Sequence, residues 1–187
     1  MASAPPVCGM RGGIKMSVPY QGTAVTAADN LRMLMRYTAW ANTRLFDTLA
    51  GLPGDTAALP GMVKTLNHAY VVDLIWKAHL EGRPHGFRER NTEAQPAFQV
   101  LREAQNNSDR WYTAYADTLS EAAHNEVISF VFVDGGAGAL SRGQMLMHIT
   151  NHKTYHRGYV AQMLYAIGHR PPVMDLPVFL REVGAEN

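Results

Sequence analysis

Histidine recurs at every fourth position in the stretch Met147-His148-Ile149-Thr150-Asn151-His152-Lys153-Thr154-Tyr155-His156-Arg157-Gly158. On a helix, residues four apart lie about one turn apart on the same face. Histidine is a middling helix former, and charged rings at this spacing repel, so such a stack carries a cost. Neutral imidazole is also the commonest nitrogen ligand for zinc, nickel and iron. Two histidines at i and i+4, joined by a third from another helix, make a three-nitrogen face that leaves room for water or substrate. That is the form of a catalytic metal site, not a closed structural one. Taken alone, the triplet reads equally well as a solvated stripe. His68, flanked by Leu66, Ala69, Val71 and Val72, is either a hydrogen-bonded core histidine or the missing ligand. Some partner is required, because an unsatisfied buried polar group costs about 1–3 kcal/mol.

Other chemistries find less support. Cys8 is the single cysteine and lies near the start, which excludes a disulfide framework and thiolate ligation and leaves histidine, carboxylate and water. No serine sits in a nucleophile-elbow context. Gly135, Gly136 and Gly138 follow a strand-like run without a P-loop lysine, so they read as a turn. His79, His85, His124 and His169 fall at helix ends or in loops and read as ordinary surface residues. Trp40, Trp76 and Trp111 read as core or pocket wall. The 17 basic and 16 acidic residues of this 187-residue chain balance to +1, and no basic stripe points to nucleic acid or an anionic membrane. No apolar run reaches the roughly 20 residues of a membrane span.

The elements that must position these residues read as helices. Residues 1–25, rich in Pro and Gly, read as a flexible or extended leader, with Met16 as an alternative start. They are not a secretory signal, and the cytoplasm is the expected location. Residues 26–187 form one domain. Thr26 or Asp29 caps a first helix that ends near Leu52, with Leu31, Leu34, Thr38, Ala41, Leu45 and Leu49 on one side. A second runs from Gly61 or Met62 to Glu81, with Gly82 just past its end; it is apolar over most of its girth and therefore central. Pro96 suits the first turn of a third helix. The run Glu126 to Val133, followed by Asp134-Gly135-Gly136, signals a hairpin. Ser141 and Gln144 resemble a capping box for the histidine-bearing helix, which stops at Gly168. Leu176 to Leu180 packs back as a turn or strap. The result is an all-α four-helix bundle with a small β-hairpin before the last long helix. Its two long connections, residues 83–95 and 120–140, permit a crossover without requiring one.

The order and spacing of several pieces carry a resemblance. They are Tyr37-Thr38-Ala39-Trp40-Ala41-Asn42, Thr65-Leu66-Asn67-His68 with Asp73-Leu74-Ile75-Trp76, the histidine stretch, and Pro171-Pro172-Val173-Met174-Asp175-Leu176 with Phe179-Leu180-Arg181-Glu182. Together they resemble the DinB/YfiT-like family from about Leu31 to Glu182. The resemblance implies an up-down-down-up bundle with a crossover, a homodimer, and a divalent metal, nickel or zinc, held by His68, His152 and His156. His148 then falls to the pocket edge or supports the ligands. Tyr159 stands where the family often has glutamine, which puts the pocket wall there in doubt. Asp73 and Tyr159 are candidate supporting groups, and Arg157 is expected to pair with a carboxylate inside the fold. Some relatives are thiol-dependent S-transferases or isomerases that use a low-molecular-weight thiol; others are hydrolase-like. The implied function is a metal-dependent transferase or hydrolase acting on a small molecule. The competing reading is a stress-associated metal-binding or interaction protein without turnover.

Overall fold

The computed structural model describes residues 25–184, so the leader expected over residues 1–25 lies, but for Val25, outside the described residues. Helix α1 spans Ala27–Ala50. The Thr26 hydroxyl accepts from the Asp29 amide while the Asp29 carboxylate accepts from the Thr26 amide, a reciprocal cap. Helix α2, Leu59–Leu80, starts two residues before the expected Gly61 because Pro60 fits the first turn. Gly82 follows it at φ +66°, a conformation that favours glycine. Helix α3 spans Phe98–Thr118, and its cap is Ala97, so Pro96 lies just outside the helix and not in its first turn.

A single turn, α4 (Glu121–His124), was not evident in the sequence; Ser120 caps it. Strands β1 (Val127–Val131) and β2 (Ala137–Ser141) then form the antiparallel hairpin, with Phe130 opposite Gly138. Helix α5, Arg142–Ala166, begins at Ser141 with the anticipated capping box to Gln144. Helix α6, Leu176–Gly184, is the strap, two turns long instead of one.

Cross-helix pairs fix the direction of each helix. Arg32 near the start of α1 reaches the Leu119 carbonyl at the end of α3, while Asp47 near the end of α1 meets Arg102, so these two are antiparallel. Helix α2 is antiparallel to α5, from Leu80 with Arg142 through Trp76 with His148 to His68 with His156. It is parallel to α3, with Asp73 against Gln105 and Lys77 over Trp111. Helices α1 and α5 are parallel, Leu31 beside Gly143 and Asn42 bonded to Arg157. The bundle is therefore up-down-down-up. Parallel α2 and α3 force residues 81–97 to cross back over a helix about 33 Å long.

Two apolar clusters fill the bundle ends. One joins Leu31, Trp76, Tyr112, Phe130 and Ile149; the other joins Leu45, Phe46, Met62, Leu101 and Leu164. Each such side chain contributes about 1.5–3 kcal/mol on full burial. Helix α6 closes one side, with Phe179 edge-on to Tyr37 and Trp40. No helix among the described residues is long and apolar enough to cross a membrane.

Candidate metal centre

The histidines meet where α2 and α5 pass each other. His68, His152 and His156 each offer a ring nitrogen, and these nitrogens all lie within 4.8 Å of one another. The Nε2 atoms of His152 and His156 are 3.1 Å apart. Two nitrogens at 2.1 Å from a common ion, separated by 90–109°, would lie about 3.0–3.4 Å apart, so this pair fits one ion. The His68 ring faces both, with centroids 5.3 Å from His152 and 4.8 Å from His156. Its Nδ1 lies 2.9 Å from the Arg90 carbonyl and donates to it. That bond leaves the Nε2 lone pair free, the usual way a ligating histidine is oriented from behind.

Electrostatics keep the rings available. Burial pushes the His152 pKa down to about 3, helped by His156, His148, His68 and the Lys153 ammonium. Burial also lowers His156, with His68 and Lys153 adding to the effect. Neutral imidazole is the ligating form. A divalent cation placed among these lone pairs would satisfy all three rings at once, where a shared proton bridges only His152 and His156. The Nδ1 of His152 is buried without a hydrogen-bond partner.

Beside the triad opens a cleft of about 290 Å³, walled by Val72, Ile75, Trp76, Phe132, Val133 and Arg90 as well as His68, His152 and His148. His148 lies at the cleft edge as anticipated, its ring 5.4 Å from His152 and 4.9 Å from Trp76, and burial lowers its pKa. The sequence pattern missed Arg90, Phe132 and Val133. The first sits on the aperiodic crossover and the others at the hairpin end, so only the tertiary path brings them here.

Two anticipated supporting residues lie elsewhere. Asp73 is 0% exposed and points into the bundle centre, where its carboxylate is 2.5 Å from the Lys153 ammonium. Five residues beyond His68 is 140° round the helix, which turns it away from the triad. Tyr159 is 54% exposed and does not line the cleft. Among the described residues Arg157 does not pair directly with a carboxylate. It donates to the Asn42 side-chain oxygen at 3.0 Å, and Asn42 in turn donates to Asp109.

These residues belong to a buried polar network joining all four long helices. Gln105 donates to Asp73 and Asp109 at 3.1 and 2.9 Å, and Ser108 donates to Asp73. Lys153 lies 3.6 Å from Asp109. The network thus holds two carboxylates, one ammonium and one guanidinium, a balanced set in which Asn42 bridges Arg157 to Asp109. Burial pushes the Asp73 carboxyl up and the Lys153 charge pulls it back. Lys153 and Arg157 each follow a triad histidine by one residue, a signal that could have flagged them.

Three of the four remaining histidines differ from the surface role expected of them. His124 is 4% exposed, with both ring nitrogens unpartnered. His79 and His85 are half-buried, their rings 5.4 Å apart, and line a second cavity. His169 is exposed as expected.

The pattern of the DinB family matches residues 23–186. Protein DinB of Bacillus subtilis (strain 168) is 25% identical over 157 residues, covering 79% of this chain and 91% of that protein.

Proposed function

Given that the chain belongs to the DinB family, we propose that it is a metal-dependent enzyme in which His68, His152 and His156 hold a divalent ion, nickel or zinc. The observation that carries this reading is the convergence of three ring nitrogens within 4.8 Å, two of them, on His68 and His152, belonging to residues that line an open cleft. Three protein nitrogens leave positions free for water or substrate. When bound, such an ion supplies Lewis-acid chemistry there, lowering the pKa of a thiol or a water. That suits S-transfer with a low-molecular-weight thiol or hydrolysis of a small molecule.

The chain's own residues divide the remaining work. The Arg90 carbonyl orients His68. Trp76, Phe132 and Val133 exclude bulk water and offer apolar contact to a substrate. His148 stands in the wall, where an uncharged ring can exchange hydrogen bonds with a bound molecule. Metal storage or signalling without turnover would need no such cleft beside the ligands, which favours the enzyme reading over a non-catalytic stress-associated protein. We also propose a cytoplasmic location and a homodimer. The exposed Met147, Tyr155 and Tyr159 of α5 supply an apolar face for a second copy, and sedimentation that gives a monomer at every concentration would remove the dimer.

Metal analysis of purified His152→Ala beside the unsubstituted protein, both loaded with zinc or nickel and dialysed, tests the ligand set. Bound metal should fall from about one per chain to near zero. Undiminished metal in an equally folded variant overturns it.

A further inference from the structure

The cleft wall continues past the triad. His79, further along the same face of α2, lines both the cleft and a larger basin of about 600 Å³ between the crossover and β1. His68 and His79 are eleven residues apart on one helix, ~16 Å along its axis. Aromatic rings occupy the interval. Trp76 lies 5.0 Å from Phe130, Phe130 lies 4.9 Å from Phe132, and Trp76 touches His148 on the triad side and His79 on the basin side. The route is polar at both ends and aromatic between.

Its charge is one-sided. Among the described residues no Asp or Glu lines either cavity, whereas Arg83, Arg88 and Arg90 do. Arg83 is answered by Glu81 at 2.5 Å. Among the described residues Arg88 and Arg90 make no side-chain hydrogen bond or ion pair: every cross-helix carboxylate contact belongs to another cation, as Asp117 to Arg36, Asp47 to Arg102 and Glu182 to Arg44. The backbone two residues beyond Arg88 is tied to the triad, since the Arg90 carbonyl holds His68. Unanswered guanidinium groups on a wall free of carboxylates favour an oxyanion, which they can bind with charge-assisted hydrogen bonds.

We propose that cleft and basin together take an elongated organic anion. Its donor head meets the triad, its flat apolar body lies against Trp76 and Phe132, and its oxyanion tail reaches the basin, where Arg88 holds it. Only the head depends on the metal reading given above.

Three probes test this by titration calorimetry on the zinc-loaded full chain. Acetohydroxamate reports the head alone. A biphenyl carrying a hydroxamate at one end and a carboxymethyl group at the other adds body and tail. Its primary amide adds the body with an uncharged tail. The carboxylate should bind about tenfold more tightly than the amide. In R88Q the two should bind alike, with acetohydroxamate affinity, zinc content and circular dichroism unchanged. Equal affinity for carboxylate and amide in the unsubstituted protein overturns the proposal. So does a preference that survives R88Q, or failure of both long probes where acetohydroxamate binds. If zinc and acetohydroxamate both fail to bind, the metal reading falls. The tail preference is then read on metal-free protein by quenching of tryptophan fluorescence, with the same two outcomes.

Discussion

Lys153→Met tests whether the buried network is held by charge. The ammonium is 3% exposed, 2.5 Å from Asp73 and 3.6 Å from Asp109. Methionine keeps most of the apolar stem, one atom shorter, and removes the charge, leaving the Asp73 carboxylate to Gln105 and Ser108 alone. Breaking a buried pair from one side costs about 3–5 kcal/mol. For a domain of this size that lowers Tm by roughly 6–20 °C. Urea unfolding of metal-stripped protein at pH 7 measures it without linkage to a bound ion. The pH dependence follows from Asp73. Its folded pKa is raised above 3.8, chiefly by burial, and Lys153 is the main opposing influence, so the substitution raises it further. A carboxyl with a raised folded pKa binds more protons folded than unfolded, so it destabilises as pH rises through the interval above 3.8 and recovers as pH falls. The deficit of Lys153→Met should therefore narrow between pH 7 and pH 5, and Asp73→Asn in the same chain should restore much of it. A deficit below about 1 kcal/mol at pH 7, or one indifferent to pH and deepened by Asp73→Asn, refutes the reasoning.

Two further outcomes follow from packing. A Cβ at Gly138 would lie 2.7 Å from the Phe130 ring and 2.8 Å from that of Phe132, so Gly138→Ala should cost about 1–3 kcal/mol in urea unfolding as both rings shift; a neutral result would mean the hairpin yields freely. His124 is buried with both nitrogens unpartnered, and burial lowers its pKa from 6.5, with Arg32 adding to the effect. Its unfolded form takes a proton that the folded form refuses, so it costs stability as pH falls below 6.5. His124→Leu should gain stability relative to the unsubstituted protein on going from pH 7 to pH 5, and an unchanged difference in urea midpoints would contradict this.

What the sequence revealed tracks what is local. The Thr26 and Ser141 caps, the stripe of α1 and the Val127–Val131 strand depend on neighbours in the chain, and all are found in place. The direction of α3 does not, because the connection between α2 and α3 only permits a crossover; family resemblance supplied it. Likewise, spacing made His148, His152 and His156 visible but could not choose among them, since three residues four apart span only about 80° of helix. Asp73 and His124 were misplaced for a common reason. Whether a polar side chain sinks into the core depends on partners from other elements, Lys153 for one and the Leu31–Gly143 contact surface for the other. Arg90 lies on a stretch with no period to read.

Helix α5 resolves a positional problem by using two faces. Lys153 and Arg157 follow His152 and His156 by one residue each, so they lie about 100° round the axis. At roughly 6 Å from that axis, a 15° roll would carry a ring nitrogen about 1.5 Å, whereas metal–ligand distances tolerate about 0.2 Å. Apolar packing alone tolerates such shifts, because many arrangements of Leu, Val and Met fill a seam comparably well. The charged face does not, since Lys153 must meet Asp73 from α2 and Arg157 must meet Asn42 from α1. Height and roll are therefore set by directional contacts to two different helices. One of those helices, α2, also carries His68, five residues before Asp73. The ion pair between Asp73 and Lys153 thus fixes the same two helices whose histidines must converge, which ties the precision of the triad to the buried network behind it.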